Sequence, residues 1–275
     1  MIHGYHDSHD DSPKYTKLDR RGHLKVVDAP GALALEGWEL EVGTNRSVHS
    51  REYISDEVDT LMGDLVTCER DGSLGSVQGF EIISRPATLD AMLSPEFKLD
   101  ELCEMLGNLG ATSHDTSCCG LHVHYNRGAL GHTAEAQDMV CAKLLVLMGK
   151  FTSELKAFAR RDWTYNTYCK RYGTDLTGEP STKKLLGKFK PLKDTGDRYY
   201  CLNLTNANTI EFRIFRGTLK ANTLKATLEL CDTLVNYCKT HTTPEVQTCT
   251  WEGVLATCNR PELATYWAER RAKLA

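Results

Sequence analysis

The sequence contains no long apolar run: nothing in its 275 residues approaches the roughly 20 needed to span a bilayer. It begins without a charged-then-apolar leader. Its first residues are polar and rich in His and Asp, which argues against a signal peptide. It has no large excess of either charge, and a formal net charge of −4 gives no bulk electrostatic reason to bind nucleic acid or an anionic membrane. Its eleven cysteines include no Cys-x-x-Cys pair and the count is odd, so they read as reduced, mostly buried thiols of a cytoplasmic protein. The adjacent Cys118 and Cys119 face opposite ways if they lie on a strand, which favours packing over a metal pair. There is no Gly-x-x-x-x-Gly-Lys-Ser/Thr loop, which excludes a P-loop enzyme, and no internal repeat.

What is present is a set of short alternating strands that carry acids or imidazoles opposite an apolar row. In Cys119-Gly-Leu-His-Val-His-Tyr-Asn126, a period of two puts His122 and His124 on one face and Leu121, Val123 and Tyr125 on the other. In 32–43, Trp38, Leu40 and Val42 share a face opposite Glu39 and Glu41, whose Cα atoms would lie about 7 Å apart by strand rise. Glu81 alternates with Phe80 and Ile82 in 78–84. In 209–215, Ile210, Phe212 and Ile214 oppose Glu211, Arg213 and Phe215. For any one strand an exposed polar face is a sufficient explanation. Repetition on four strands points instead to one antiparallel sheet with a carboxylate-and-imidazole basin on one face and helices on the other. Carboxylates about 5 Å apart repel by roughly 3 kcal/mol per pair at an effective dielectric near 20, so such a basin needs cations. Its oxygen-rich composition favours Mg²⁺ or Mn²⁺ over Zn²⁺. Arg213, two residues from Glu211, would suit a phosphate or carboxylate.

Between the strands, 53–68, 89–109, 134–161 and 223–239 carry helical apolar stripes, and one or two helices follow from Thr250. Asp71-Gly72 signals a tight turn. Residues 1–31 read as a polar arm with a short edge strand at 24–28; their His and Asp residues could hold a metal, but a solvated arm is the simpler reading. Residues 32–245 read as the catalytic domain and 246–275 as a helical extension. Periodicity fades over 162–198, a long stretch of Tyr, Gly and Lys that reads as a functional loop or lid. Lysines beside glycines there, such as Lys183 and Lys188, are candidates for clasping phosphates, against the alternative of a solvated charge run.

Four of these segments, in this order, carry a resemblance: Gly37-Trp-Glu-Leu-Glu41, Asp71-Gly-Ser followed by Phe80-Glu-Ile-Ile-Ser-Arg-Pro86, Cys119-Gly-Leu-His-Val-His124, and Thr209-Ile-Glu-Phe-Arg-Ile-Phe-Arg-Gly-Thr218. Together they resemble the amidoligase family of the glutamine synthetase-like carboxylate–amine ligases, over about residues 36–219. Tyr5-His6 is similar to the arm that often precedes the first strand. The resemblance implies an α+β fold with a curved antiparallel sheet, helices on its convex face, and ATP with two or more Mg²⁺ on its concave face. By similarity, Glu39, Glu41, Glu81, His122 and Glu211 would be metal ligands, and His124 would lie near the nucleotide phosphates. Arg213 would meet the transferred phosphate, with Arg198 as an upstream partner. The implied reaction joins a small-molecule or peptide carboxylate to an amine through an acyl-phosphate. The alternatives are a kinase on the same scaffold, a Zn²⁺ hydrolase built on His-x-His, and a non-enzymatic binding protein that kept the basin.

Overall fold

A computed structural model describes residues 2–3, 14–28, 33–164 and 167–273. In chain order the strands β1 (Ile2–His3), β2 (Lys14–Leu18), β3 (Leu24–Asp28) and β4 (Glu36–Val42) precede helix α1 (Arg51–Met62). Then come β5 (Val66–Glu69), β6 (Phe80–Ser84), α2 (Leu89–Leu93), α3 (Leu99–Asn108) and β7 (Gly120–Asn126). Next are α4 (Ala134–Lys150), α5 (Thr152–Ala159), α6 (Thr182–Lys193), β8 (Leu202–Asn203) and β9 (Thr209–Arg216). The chain ends in α7 (Ala221–Thr240), α8 (Thr243–Thr248), α9 (Trp251–Leu255) and α10 (Pro261–Ala272). The expected α+β class holds. Seven strands form a mostly antiparallel sheet in the order β1-β5-β6-β4-β7-β9-β8, in which β1 pairs parallel with β5, and β2 and β3 form a separate hairpin.

The chain divides into two compact units, Met1–Val123 with Phe215–Lys225, and His124–Ile214 with Ala226–Ala275. In the first, alternation sorts the strands as expected. Trp38, Leu40 and Val42 of β4 and Phe80 and Ile82 of β6 are fully buried, and Val42 pairs with Phe80 and Leu40 with Ile82 on one apolar face. Helix α1 buries Ile54, Val58 and Met62 and packs on β5 and α3. Gly79 lets β6 begin hard against β4: a Cβ there would lie 2.4 Å from the Val42 carbonyl oxygen.

The second unit is mostly helical. Helix α4 buries an unbroken run from Val140 to Met148, as befits an element packed by α5, α6 and α8. Within that run Lys143 is buried, and its ammonium donates to the carbonyls of Cys238 at 3.1 Å and His241 at 2.6 Å, capping the end of α7. Burial lowers its pKa. The tail docks through Tyr266, whose hydroxyl donates to the Phe158 carbonyl at 3.0 Å.

Several element boundaries differ from the sequence reading. The helix expected over 53–68 ends at Met62, where Gly63 breaks it at φ +52°, and Val66–Glu69 is a strand. Residues 89–109 form two helices separated by a 3₁₀ turn at Pro95–Phe97, and 134–161 break at Phe151. Asp71 opens the expected tight turn, its carbonyl accepting from the Leu74 N–H at 3.2 Å. It caps a 3₁₀ segment, Gly72–Val77, by accepting from the Ser73 N–H at 2.7 Å. The arm contributes β1 and the β2–β3 hairpin; Tyr5, His6 and His9 lie outside the described residues. The stretch 162–198 carries helix α6, whereas the two helices that follow Thr250, α9 and α10, are as expected. Eight of the eleven cysteines are buried, and none is disulfide-bonded. Among the described residues no helix is long and apolar enough to cross a membrane.

Candidate functional site

The first unit gathers its acids by cross-strand register. Glu41 on β4 lies directly opposite Glu81 on β6, and Glu81 lies directly opposite Glu69 on β5. Directly opposed residues point to the same face with Cβ atoms about 5 Å apart. The three carboxylates therefore form a row, and all are buried at 6% exposure or less. His122 of β7 joins them: ligand atoms of Glu41, Glu81 and His122 all lie within 4.8 Å of one another. His122 Nδ1 is 3.3 Å from Glu39 Oε2. The Gly120 N–H donates to Glu41 Oε2, and Ser113 Oγ donates to the Glu41 carbonyl at 2.8 Å. Thus the Gly of the His-x-His motif helps to orient an acid of the Glu-x-Glu motif.

Glu69 is missed by the sequence reading because the helical pattern over 53–68 takes in Val66–Cys68 and leaves Glu69 outside any strand. The signal available was the period-two order of Val66-Thr-Cys-Glu69, with Cys68 fully buried on the apolar face opposite Ile82. His3, exposed, is in register with Glu69 at the far end of the row.

The second unit holds Glu211, Arg213, Arg198 and His124. Glu211 is buried, accepts from Asn203 Nδ2 at 2.7 Å, and pairs with Arg213 Nη1. Arg213 Nε donates to the Tyr168 carbonyl at 3.2 Å. Its guanidinium also lies 5.9 Å from the centre of the Tyr199 ring, and that of Arg198 lies 5.1 Å from the same ring. The two arginines thus share one aromatic platform. His124 Nδ1 is 3.3 Å from Thr209 Oγ1. Lys183 and Lys188 sit on the exposed side of α6, and Lys188 is 3.6 Å from Glu179.

The donor set fits a hard divalent cation. It offers carboxylate oxygens with one imidazole in a buried setting, where like charges crowd unless a cation offsets them. Zn²⁺ sites, by contrast, are dominated by nitrogen and sulfur.

Fold and site together define an α+β protein with a buried, oxygen-rich candidate metal centre. A family model described as "Putative amidoligase enzyme" matches residues 32–235, well over half of the chain, and the chain belongs to this family. No curated protein matches it. Among solved structures it is similar to a bifunctional glutathione synthetase from Pasteurella multocida, at 11% identity and a TM-score of 0.42. That match covers 88% of this chain and 47% of the other, so the chain spans about half of that protein's length.

Proposed function

We propose that the chain is an ATP-dependent carboxylate–amine ligase. The observation that carries this reading is the buried row Glu69–Glu81–Glu41 with His122 beside it. Glu39, Glu41, Glu81, His122 and Glu211, with Glu69 added by the register, would hold Mg²⁺. When bound, Mg²⁺ neutralises phosphate charge and orients the transferring group. A substrate carboxylate oxygen attacks the γ-phosphorus of ATP and ADP leaves, giving an acyl-phosphate. An amine nitrogen then attacks the acyl carbon, the carbon–oxygen bond breaks, and phosphate leaves with formation of the amide. Arg213, with Arg198 across Tyr199, would stabilise negative charge on the transferring phosphoryl oxygens. His124 would contact the nucleotide phosphates. A curved sheet would cradle ATP on its concave face, and 162–198 would shield the acyl-phosphate from water.

The test is phosphate release from ATP with Mg²⁺ and a panel of acid–amine pairs, read together with product mass. A ligase gives a product lighter by one water than the two substrates together. A kinase gives one heavier by a phosphoryl group. Release that needs both acid and amine is expected, and full turnover by Glu211→Gln would overturn the site assignment.

A further inference from the structure

Helix α6 has a sharply divided surface. Leu185, Leu186, Phe189 and Leu192 are buried, and the helix packs against α4. Lys183, Lys184, Gly187, Lys188, Lys190 and Pro191 are exposed. At 3.6 residues per turn, Gly187 and Pro191 fall one above the other along the middle of the outer face. Lys183 and Lys190 line one border of that face, and Lys184 and Lys188 line the other. The helix contains no acid. Lys188 has a weak partner in Glu179, but among the described residues no acidic side chain pairs with Lys183, Lys184 or Lys190.

Local stability does not account for this design. Glycine and proline both disfavour a helix interior, and Pro191 brings no N–H to the Gly187 carbonyl four residues back. Lys184 and Lys188 repel at a four-residue spacing. Packing does not account for Gly187 either, since a Cβ there would meet nothing within 4 Å. A side chain at that position would reach outward, into the path of anything lying along the face. The result is a smooth track between two rows of ammonium groups, on a chain whose net charge is −4.

We propose that the outer face of α6 binds an extended acidic polypeptide segment, and that this segment brings the carboxylate to be amidated. The second clause rests on the ligase reading above. In an extended peptide, every second side chain points the same way, about 7 Å apart. Lys184 and Lys188 are spaced about 6 Å along the helix axis, so alternate Asp or Glu side chains can meet successive lysines. The peptide backbone then lies over Gly187 and Pro191. A nucleic acid fits less well, because the face offers no aromatic ring for base stacking. On this reading Lys183 and Lys188 serve the acidic substrate rather than ATP.

The test is fluorescence anisotropy of a labelled peptide of glutamates on the full chain, without ATP or metal, beside a glutamine peptide and an oligouridylate of the same length. The glutamate peptide should bind, weaken as salt rises, and weaken by about tenfold or more in Lys184→Glu/Lys190→Glu. Gly187→Leu keeps every charge and should raise thermal stability, yet it should also weaken binding. Failure of the glutamate peptide to bind, wild-type affinity in either variant, or tighter binding of the oligouridylate would each overturn the proposal. None of these outcomes bears on catalysis, so the ligase reading would survive them. Conversely, if Glu211→Gln turned over normally while the peptide still bound, the docking face would stand and the ligase site would fall.

Discussion

Glu41 and Glu81 stand directly opposite each other on neighbouring antiparallel strands, both buried at 6% exposure. In most sheets like charges at such positions are destabilising. Here Glu69 extends the clash to a third strand. On the proposed reading, three acids in this arrangement would cost stability in the metal-free state in return for a cation site. Glu81→Gln should therefore raise the thermal midpoint of metal-free protein, by about 2–4 °C for each kcal/mol of repulsion relieved. It should also shrink the further rise on adding millimolar Mg²⁺. Thermal unfolding with and without Mg²⁺ checks both. A lower metal-free midpoint with an unchanged Mg²⁺ response would contradict the cation-site reading.

How far the sequence revealed this arrangement depends on the length of each element. Strands β4, β6, β7 and β9 announce themselves because each alternates cleanly over five or more residues, and Glu39, Glu41, Glu81, His122 and Glu211 are legible with them. Strand β5 has four residues and directly follows a helix, so its pattern merges with that of α1 and hides Glu69. Helix α6 is hidden for the opposite reason. Its stripe of Leu185, Leu186, Phe189 and Leu192 is regular, but Gly187 and Pro191 are breaker signals, and tertiary packing on α4 outweighs them. The register that aligns Glu69 with Glu81 is a property of strand pairing, which the linear pattern does not specify.

Close approach at Gly79 gives a stability prediction independent of function. A Cβ would lie 2.4 Å from the Val42 carbonyl oxygen and 3.0 Å from the Leu74 Cβ. Neither is the far end of a flexible side chain, so β4 and β6 would have to separate. Gly79→Ala should cost about 1–3 kcal/mol, as overpacking usually does, measured as a shifted urea midpoint with an unchanged slope. Gly72→Ala, which meets nothing within 4 Å, is the control and should stay close to wild type.

Glu229 predicts a pH dependence. It is fully buried on α7 and caps the start of α10 by accepting from the Leu263 N–H at 2.6 Å. Burial, with neighbouring Glu262 adding to it, pushes its pKa up to about 7. The folded state therefore holds a proton that the unfolded state releases near its ordinary pKa of about 4.3. Below that value both states are protonated and nothing is lost. As pH rises from there to about 7 the unfolded state binds fewer protons, so this group's contribution to stability falls and then levels off. Glu229→Gln should thus raise the thermal midpoint at pH 8 relative to wild type and change it little at pH 4. A difference of equal size at both values would show that ionisation plays no part.

Arg213 is held in three directions at once, by the Glu211 carboxylate, by the Tyr168 carbonyl at 3.2 Å and by the face of Tyr199 at 5.9 Å. A planar guanidinium can satisfy all three and still present N–H groups to a phosphoryl oxygen, whereas an ammonium is a point charge on a flexible stem. If Arg213 stabilises charge as proposed, Arg213→Lys should lower kcat by about 10²-fold while the fold, judged by thermal unfolding, is retained. Tyr199→Ala removes the platform that Arg198 and Arg213 share and should have a smaller effect, since an exposed cation–π contact contributes about 0.5–1 kcal/mol. Tyr199→Phe keeps the ring and loses only the 3.3 Å contact of its hydroxyl with Arg198, so it should remain near wild type. The order expected in phosphate release is wild type, then Tyr199→Phe, then Tyr199→Ala, then Arg213→Lys. If Arg213→Lys turned over at the wild-type rate, positive charge alone would suffice at that position, and the argument from the fixed guanidinium fork would fail.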